Sequence, residues 1–428
     1  MPEIRPFRGV RYDMTRIGAL ADVVAPPYDV IDETLQNRLY DASPYNVIRL
    51  ELNRPEPGDD PSTSRYDRVA GLLKGWLRDE VLRPDADAAF YLYEQIFEVE
   101  GAKHVRRGFF ARVRLEPFGS GSIYPHEQTL AGPKADRLSL YRAAKFNLSP
   151  IFGLYPDDEG SVIEAVAAGV RDRTPLEAHD HLGVINRVWP VTDARAHTTV
   201  EGLLAGKPIF IADGHHRYET GLNYRNELAS KGELSGPEDP ANFCMMMLVG
   251  MSDPGLLILP THRLVSGFAG LTADVLAAKL APEFEVTRVE SAAAAWDEVE
   301  SHGAQDVLSF VTPADGVAVV ARLRSDATMD RLCPEHGADW RSLGVSILHE
   351  LVLKHLLGDL GVATCRYVHL LREVEDDVAA RRCDLACLVP PATMEHVQAI
   401  ALNRETMPPK STYFYPKLLT GLVLNPLH

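Results

Sequence analysis

Apolar positions along the chain recur with two different periods, and these predict two kinds of element. Apolar and polar residues alternate over 90–99 and 105–115, and both segments are rich in aromatic and β-branched side chains. This pattern predicts a β-hairpin. Over 65–83 and 216–231 the apolar residues recur every three or four positions, as on one face of a helix. Further strands are predicted at 151–155, 184–191, 208–212, 243–251, 307–311, 317–323 and 385–389, and helices at 138–145, 160–171, 193–205, 273–280, 343–357 and 392–403. The pattern predicts an α/β protein with α+β mixed sheets.

The spacing of these elements also bears on domain organisation. A chain of 428 residues is long enough for more than one domain. The segment 230–240 is rich in glycine and proline, as linkers are. We therefore predict an N-terminal domain over 1–235 and a C-terminal α/β domain over 236–428. No internal repeat of 20–50 residues is evident, which argues against a solenoid or a propeller.

Composition and charge narrow the classes of function. The chain is 46% hydrophobic and 24% charged, a balance typical of globular proteins. Its net charge of −16 argues against a duplex nucleic-acid groove, which carries a basic surface. Five scattered cysteines fit a reducing compartment. The first residues hold no apolar run of signal-peptide length, and no run is long enough to span a bilayer. We therefore expect a cytoplasmic protein without a membrane or nucleic-acid partner.

The most informative polar cluster follows the apolar strand 208–212 and precedes the helix 216–231. Its residues are Asp213, Gly214, His215, His216 and Arg217. Asp213 is expected to cap the helix, and Gly214 lets a ligand approach the backbone. The first-turn amides and the positive end of the helix dipole favour an anion, to which Arg217 can add a bidentate contact. The alternative is that Asp213 only caps and the histidines form hydrogen bonds in the core. Two histidines and an arginine in one turn favour a functional site.

Two further stretches carry chemistry-bearing side chains, and each has a structural alternative. His126 and Glu127, followed by Gln128 and Thr129, could supply a general base or metal ligands. A solvated loop is an equally good interpretation of that stretch. The segment 407–412 ends in Lys410, Ser411 and Thr412, which could face a phosphate, although it lacks the glycine-rich start of a P-loop. An aromatic C-terminal strand packed on the core is the alternative there.

Several of these motifs together resemble one known family. They are the segments 25–30, 46–50, 126–127, 212–219 and 407–412. In combination they are similar to the bacterial and archaeal domain of unknown function family 1015, over essentially the whole chain. That family name implies no activity.

A second, local resemblance does imply one. The turn 213–217 resembles the nucleotide-phosphate box of the ParB/sulfiredoxin superfamily, which includes CTP-binding ParB switches, sulfiredoxin and free-serine kinases. The resemblance implies a ParB/sulfiredoxin-like N-terminal domain. His215 stands in the turn, which lacks the sulfiredoxin cysteine, and this argues against sulfinic-acid repair. The acidic charge and the lack of an evident helix-turn-helix argue against DNA partitioning.

The residues and this resemblance favour a small-molecule phosphotransferase with a nucleotide donor, acting on free serine or another hydroxy amino acid. The catalytic candidates are Asp29, His126, Glu127, His215 and His216. The candidates for binding phosphate and substrate are Asp213, Gly214, Arg217, Lys134, Arg137, Lys410, Ser411 and Thr412. Cations, amides and one carboxylate are sufficient for phosphoryl transfer, which needs mainly positioning and charge stabilisation. Mg²⁺ is expected with ATP, ADP or CTP, and Asp213 is its candidate ligand.

Two alternatives remain open on the sequence alone. One is a metal-dependent phosphoester hydrolase, whose ligands would be His126, Glu127, Asp213, His215 and His216. The other is a non-catalytic, nucleotide-binding regulatory protein. In every case the expected partner is a small phosphorylated or hydroxylated metabolite. A homodimer is left open as the assembly.

Overall fold

The structure is a computed structural model that describes residues 2–60, 64–119, 121–127 and 131–428, with only the backbone for 131–133. Gln128 and Thr129 therefore lie outside the described residues. The chain forms two compact units. The first comprises Met1–Pro125, Thr129–Leu257 and Pro416–His428, and the second comprises His126–Gln128 and Ile258–Tyr415.

Strands and helices are interspersed along the described part of the chain. The strands are β1 (Ile4–Arg5), β2 (Val10–Tyr12), β3 (Leu82–Pro84), β4 (Phe90–Val99), β5 (Ala102–Arg114), β6 (Ile123–Tyr124), β7 (Phe146–Asn147), β8 (Ile151–Tyr155), β9 (Leu176–His179), β10 (Ile185–Val191), β11 (Ile209–Asp213), β12 (Phe243–Gly250), β13 (Leu257–Leu259), β14 (His262–Ser266), β15 (Phe284–Val289), β16 (Val307–Thr312), β17 (Val317–Leu323), β18 (Thr364–Val368), β19 (Leu385–Leu388), β20 (Tyr413–Tyr415) and β21 (Asn425–Pro426). The helices are α1 (Glu33–Ala42), α2 (Ile48–Glu51), α3 (Ser64–Arg78), α4 (Ala131–Ala144), α5 (Ser161–Ala168), α6 (Ala194–Leu204), α7 (His215–Lys231), α8 (Ala273–Leu280), α9 (Ala292–His302), α10 (Ala327–Leu332), α11 (Ala338–Arg341), α12 (Gly344–Ser346), α13 (Leu371–Ala379) and α14 (Met394–Leu402). This is the α/β class with mixed sheets that the sequence predicts.

The first unit is built on a nine-stranded mixed sheet. Its strands run in the order β6-β11-β8-β12-β5-β4-β10-β9, and β1 also pairs with β5. The predicted hairpin is confirmed, because β4 pairs antiparallel with β5 from Tyr91 opposite Phe110 to Val99 opposite Ala102. β11 is parallel to β6 and antiparallel to β8. Apolar side chains of the sheet pack against α5, α6 and α7 in one core that includes Val166, Val200 and Tyr218.

The second unit is built on a six-stranded antiparallel sheet with the order β15-β17-β16-β19-β14-β18. Successive residues of a strand point to opposite faces, and both faces are buried. Leu308 and Phe310 of β16 belong to one core, while Val307 and Val311 belong to the other. This explains why β16 is apolar throughout instead of alternating.

The two units do not divide at the predicted domain boundary after residue 235. β12 pairs with both β5 and β8, in the middle of the first sheet, so the first unit continues to Leu257. The last residues of the chain also belong to the first unit, where β21 pairs with β7. The linker-like composition of 230–240 thus marks the loop between α7 and β12.

One helix of the structure differs in type from the helix predicted there. The segment 343–357, predicted as a single α-helix, forms the short α12 and then a π-helix over Ile347–Leu356. The apolar spacing predicted helical structure there but not the wider turn.

None of the helices in the described part of the chain has the length and apolar composition needed to cross a bilayer.

Candidate functional site

The polar turn of the first unit joins the end of β11 to the start of α7. Asp213 is the last residue of the strand, and Gly214 is the N-cap of the helix, with φ 91° and ψ 28°. The prediction that Asp213 caps α7 is therefore wrong. Glycine adopts this left-handed conformation without strain. A Cβ atom at this position would also lie 2.9 Å from Nε of Arg217, so close an approach needs glycine.

Arg217 lies beneath the turn, with 4% of its surface exposed. Its guanidinium donates to the carbonyl oxygen of Pro150 and, at 3.2 Å, to Oδ2 of Asp213. Burial lowers the pKa of Arg217, but the nearby carboxylates of Asp213 and Asp29 outweigh it and raise that pKa overall. Both contacts are with protein oxygens, and the bidentate contact of Arg217 with a ligand stays a prediction. The guanidinium fastens the turn to the start of β8 and positions Asp213.

A second cation approaches Asp213 from the C-terminal segment. Nζ of Lys417 lies 3.7 Å from Oδ1 of Asp213, and the two side chains are 15% and 18% exposed. The backbone around Lys417 is held in place, since its carbonyl oxygen accepts a bond from Nε2 of Gln95 and that of Pro416 accepts one from Arg106. The sequence analysis did not select Lys417 as a site residue. The one feature of the sequence that marks it is its position shortly after the aromatic residues 413–415, which follow the segment 407–412.

The turn 25–30 forms the other side of this charged cluster. The guanidinium of Arg137 lies 4.2 Å from the ring centre of Tyr28. Burial raises the pKa of Tyr28 to about 12, while Arg217 opposes that shift. Asp29 is exposed and contributes to raising the pKa of Arg217. The structure thus brings together segments 25–30, 137, 213–217 and 417, which the sequence could not connect by spacing.

Two of the predicted phosphate-binding cations are already in contact with carboxylates. Arg137 is buried and donates to the carbonyl oxygen and Oε1 of Glu51, at 2.9 and 3.1 Å, and to Oδ2 of Asp136 at 2.8 Å. Lys134 forms an ion pair of 2.7 Å with Glu219 on α7. Their charges are therefore balanced within the protein. Glu51 was missed because it lies just outside the motif 46–50 and its spacing does not connect it to Arg137.

The two histidines of the turn differ in burial. His215 is 5% exposed, and His216 is half-buried at the start of α7. The carbonyl oxygen of His216 accepts a bond of 2.7 Å from Oγ1 of Thr220. His216 is thus the more accessible of the two predicted proton donors.

The other two predicted motifs meet one another in the second unit. Nε2 of the fully buried His126 lies 2.8 Å from Oγ1 of Thr412. Oε1 of Glu127 accepts a bond of 2.9 Å from the amide of Lys410, which has a φ of 59°. The hydroxyl of Ser411 is buried and donates to Pro408 at 2.6 Å. The sequence analysis anticipated neither of these contacts between segments nearly 300 residues apart.

The ligand set of the predicted metal-dependent hydrolase is divided between the units. His126 and Glu127 belong to the second unit, whereas Asp213, His215 and His216 belong to the first. Within the described part of the chain, no three or more histidine, cysteine, aspartate or glutamate side chains are grouped so that they could hold a metal ion. Nothing in this geometry favours that alternative.

A family model described as "Protein of unknown function (DUF1015)" matches residues 4–346. The chain belongs to this family. The assignment made from the motifs is therefore confirmed. A search of curated proteins gave no match.

Solved structures with some likeness to this DUF1015 chain include three kinds of protein. A free serine kinase in complex with AMP has a TM-score of 0.34 and 14% identity, over 68% of this chain and 83% of that one. A conserved hypothetical protein from Pyrococcus furiosus has a TM-score of 0.33 and 15% identity, over 68% and 87%. C-terminally truncated SbnI from Staphylococcus aureus has a TM-score of 0.34 and 12% identity, over 74% and 87%. Likenesses at this level are too weak to assign a residue role or an activity.

Proposed function

We propose that this protein transfers a phosphoryl group from a nucleotide to the hydroxyl group of a small molecule, at the junction of β11 and α7. The observation that carries the proposal is the placement of Asp213. Its carboxylate ends a buried strand, is held by the buried Arg217 and faces Lys417. Phosphoryl transfer needs a positioned carboxylate, cations and backbone donors, with little further chemistry from the protein.

The phosphate-binding role belongs to the start of α7 and to Lys417. The positive end of the helix dipole lies at Gly214, at the start of α7. Lys417 is a flexible point charge and is partly exposed, so it can turn from Asp213 towards a phosphate. These two groups take over the charge neutralisation first expected from Lys134, Arg137 and Lys410.

Asp213 is the candidate base that orients the acceptor hydroxyl. Arg217 and Lys417 both stabilise its ionised form, in which it can accept a hydroxyl proton. Asp29 is the second accessible carboxylate on this side of the unit, and His216 is a further proton donor. Arg217 acts as a positioning residue because its donors are bonded to protein oxygens.

The residues present also fit a nucleotide with Mg²⁺. Magnesium in such sites is commonly bound by one or two carboxylates and the substrate phosphates, and Asp213 and Asp29 are oxygen donors of that kind. When bound, the ion would neutralise charge on the transferred phosphate. The protein's own contribution is to fix the carboxylate of Asp213 and to supply Lys417. The acceptor we favour is serine or another hydroxy amino acid.

The test compares wild type with Asp213→Asn by thermal shift and calorimetry, using ATP, ADP and CTP with and without Mg²⁺. We expect a nucleotide with Mg²⁺ to raise the Tm of wild type, and the part of this shift that depends on Mg²⁺ to be lost in Asp213→Asn relative to that variant's own Tm. Asp306→Asn is the matched control, since Asp306 is also partly exposed and pairs with an arginine. It should retain the shift.

Turnover distinguishes the proposed transfer from a regulatory role. With a nucleotide that binds, formation of a phosphorylated hydroxy amino acid by wild type and its loss in Asp213→Asn would support the proposal. Nucleotide binding without transfer to any hydroxylated acceptor would instead support the non-catalytic regulatory protein. Equal nucleotide binding by wild type and Asp213→Asn would remove this site from consideration.

A further inference from the structure

Helix α1 of the first unit has an apolar face that is not packed against a core. The helix begins after Asp32, whose Oδ1 accepts a bond of 2.7 Å from the amide of Leu35. None of its ten residues is buried. Leu35, Leu39 and Ala42 recur at helical spacing and so share one face. Such an apolar face is normally covered by the rest of the protein.

Opposite this face is a cavity of about 260 Å³ within the first unit. The far wall is apolar and well packed, and consists of Val24, Ala25, Pro26 and Leu419. Ala25 and Thr420 exchange backbone bonds of 3.1 and 2.8 Å, which hold that wall together. Leu35 and Leu39 form the near wall. The cavity is therefore a slot between two apolar surfaces, and its size suits a small molecule.

The lining of the slot includes a cation that has no ion pair with a described residue. Arg38 lies on the same face of α1 and is exposed. It makes no hydrogen bond or ion pair with any described residue, whereas most arginines of this unit are bonded to carboxylates or carbonyl oxygens. His181 also lines the mouth, and burial lowers its pKa, so it is a neutral donor or acceptor near neutral pH.

The two carboxylates at the mouth do not cancel this preference for an anion. Oδ1 of Asp180 accepts bonds of 2.9 Å from the amides of Leu182 and Val184, so that carboxylate is engaged in its own loop. Asp22 and Arg38 are both exposed, so water and salt screen the charge of each. Arg38 is the cation among the lining residues, and its guanidinium can hold a carboxylate through two parallel hydrogen bonds.

We propose that this slot binds a small amphipathic carboxylate. The alkyl or aromatic body would lie between α1 and the wall of Ala25 and Pro26, and the carboxylate would pair with Arg38. Burial of the body stabilises the complex through the hydrophobic effect, and the guanidinium can hold a carboxylate through two parallel hydrogen bonds. The inference is independent of the phosphotransferase proposal, because it concerns another surface and binding alone.

The probe is octanoate, titrated into the full chain by calorimetry and thermal shift at concentrations below micelle formation. We expect saturable binding that raises Tm, and an affinity about tenfold or more lower in Arg38→Gln. Arg195→Gln is the matched control, because Arg195 is also an exposed helical arginine whose side chain has no ion pair with a described residue. Its affinity for octanoate should equal that of wild type.

Two further measurements keep the result unambiguous. Ala42→Leu extends a side chain into the slot, so it should abolish octanoate binding without lowering Tm. Octanol and octylamine share the chain length but lack the negative charge, and each should bind more weakly than octanoate. Absence of saturable octanoate binding, or equal affinity in Arg38→Gln and Arg195→Gln, would overturn the proposal. Octylamine binding as tightly as octanoate would overturn it as well.

Discussion

The turn 213–217 in the first unit and the paired segments 126–127 and 407–412 in the second invite comparison. Both combine histidine, a carboxylate and a basic side chain, and both drew attention in the sequence for that reason. In the first, a partly exposed Asp213 is held by one buried cation and faces a second, partly exposed one. In the second, His126 and Glu127 bond to the segment 410–412 itself. Polar residues at a turn therefore indicate a binding site where their ion pairs stay partly exposed, as Asp213 and Lys417 are, and not where a group such as His126 is fully buried against its partner.

The largest effect expected from this comparison is on stability, in Arg217→Ala. Removing the buried guanidinium takes from Asp213 one of its two cations and from the carbonyl oxygen of Pro150 the donor that Arg217 supplies. We expect the free energy of unfolding to fall by about 3–5 kcal/mol, as for other broken buried ion pairs. Urea denaturation followed by circular dichroism measures this change.

The control for that experiment is Arg142→Ala. Arg142 also forms an ion pair with a glutamate of α7, but its side chain is 51% exposed. Its removal should lower the free energy of unfolding by about 1 kcal/mol or less. If Arg217→Ala were as mild as this and yet lost nucleotide binding, Arg217 would be a ligand contact, as the sequence first suggested.

The second prediction concerns the loss of stability of the second unit at low pH. In the second unit, burial and, to a smaller extent, the neighbouring Arg263 together lower the pKa of His262 to about 3. The unfolded chain binds a proton near pH 6.5, whereas the folded chain does not. Stability from this group is therefore complete above pH 6.5 and is lost as the pH falls towards 3. Between pH 6.5 and 4.5 the loss is about 2–3 kcal/mol.

Fluorescence of Trp296 can follow this loss, because its ring packs edge-on against His262 with 4.7 Å between centres. Urea midpoints at pH 7.5 and 4.5 should differ strongly in wild type and less in His262→Phe, which keeps an aromatic ring but cannot take up the proton. An equal pH dependence in the two proteins would contradict the assignment of the acid effect to His262.

Local pattern was enough to predict much of the fold, and the reasons are physical. The hairpin β4–β5, the strand β11 and the helix α7 follow from the alternation or helical spacing of their own side chains. The extent of the first unit was harder to predict, because β12 joins its sheet and the last thirteen residues join the unit from distant parts of the chain. A boundary inferred from the composition of one loop cannot detect such returns.

The candidate site was predictable only in part for the same reason. The turn 213–217 is contiguous in sequence and was found at once. The groups that define its geometry are not contiguous with it: the acceptor for Arg217 is the carbonyl oxygen of Pro150, and Lys417 lies near the C-terminus. Residue type predicted a cation near Asp213, but spacing could not say which one. The spacing also could not show that the guanidinium of Arg217 donates to oxygen atoms of Pro150 and Asp213.

A third, smaller effect is expected in the second unit, from Glu127→Ala. The change removes the acceptor for the amide of Lys410, whose backbone is held in a left-handed conformation. We expect the free energy of unfolding to fall by about 1–2 kcal/mol, while any nucleotide-induced shift in Tm is kept. Glu127→Gln preserves an oxygen acceptor and should be milder. If Glu127→Gln kept full stability but lost phosphate transfer, Glu127 would be the base that the sequence proposed.

The smallest change is expected from Lys417→Met, and it sharpens the comparison most. A partly exposed ion pair contributes about 1 kcal/mol or less, so stability should change little. Affinity for a nucleotide should nevertheless fall about tenfold, because a charge-assisted bond to phosphate is lost, and its salt dependence should weaken. Lys134→Met is the matched control, since Lys134 is also partly exposed and paired, at 2.7 Å, with Glu219. Calorimetry at two salt concentrations compares the two variants. If Lys134→Met weakened nucleotide binding and Lys417→Met did not, the phosphate would lie beside α4, and the cation beside Asp213 would only balance its charge.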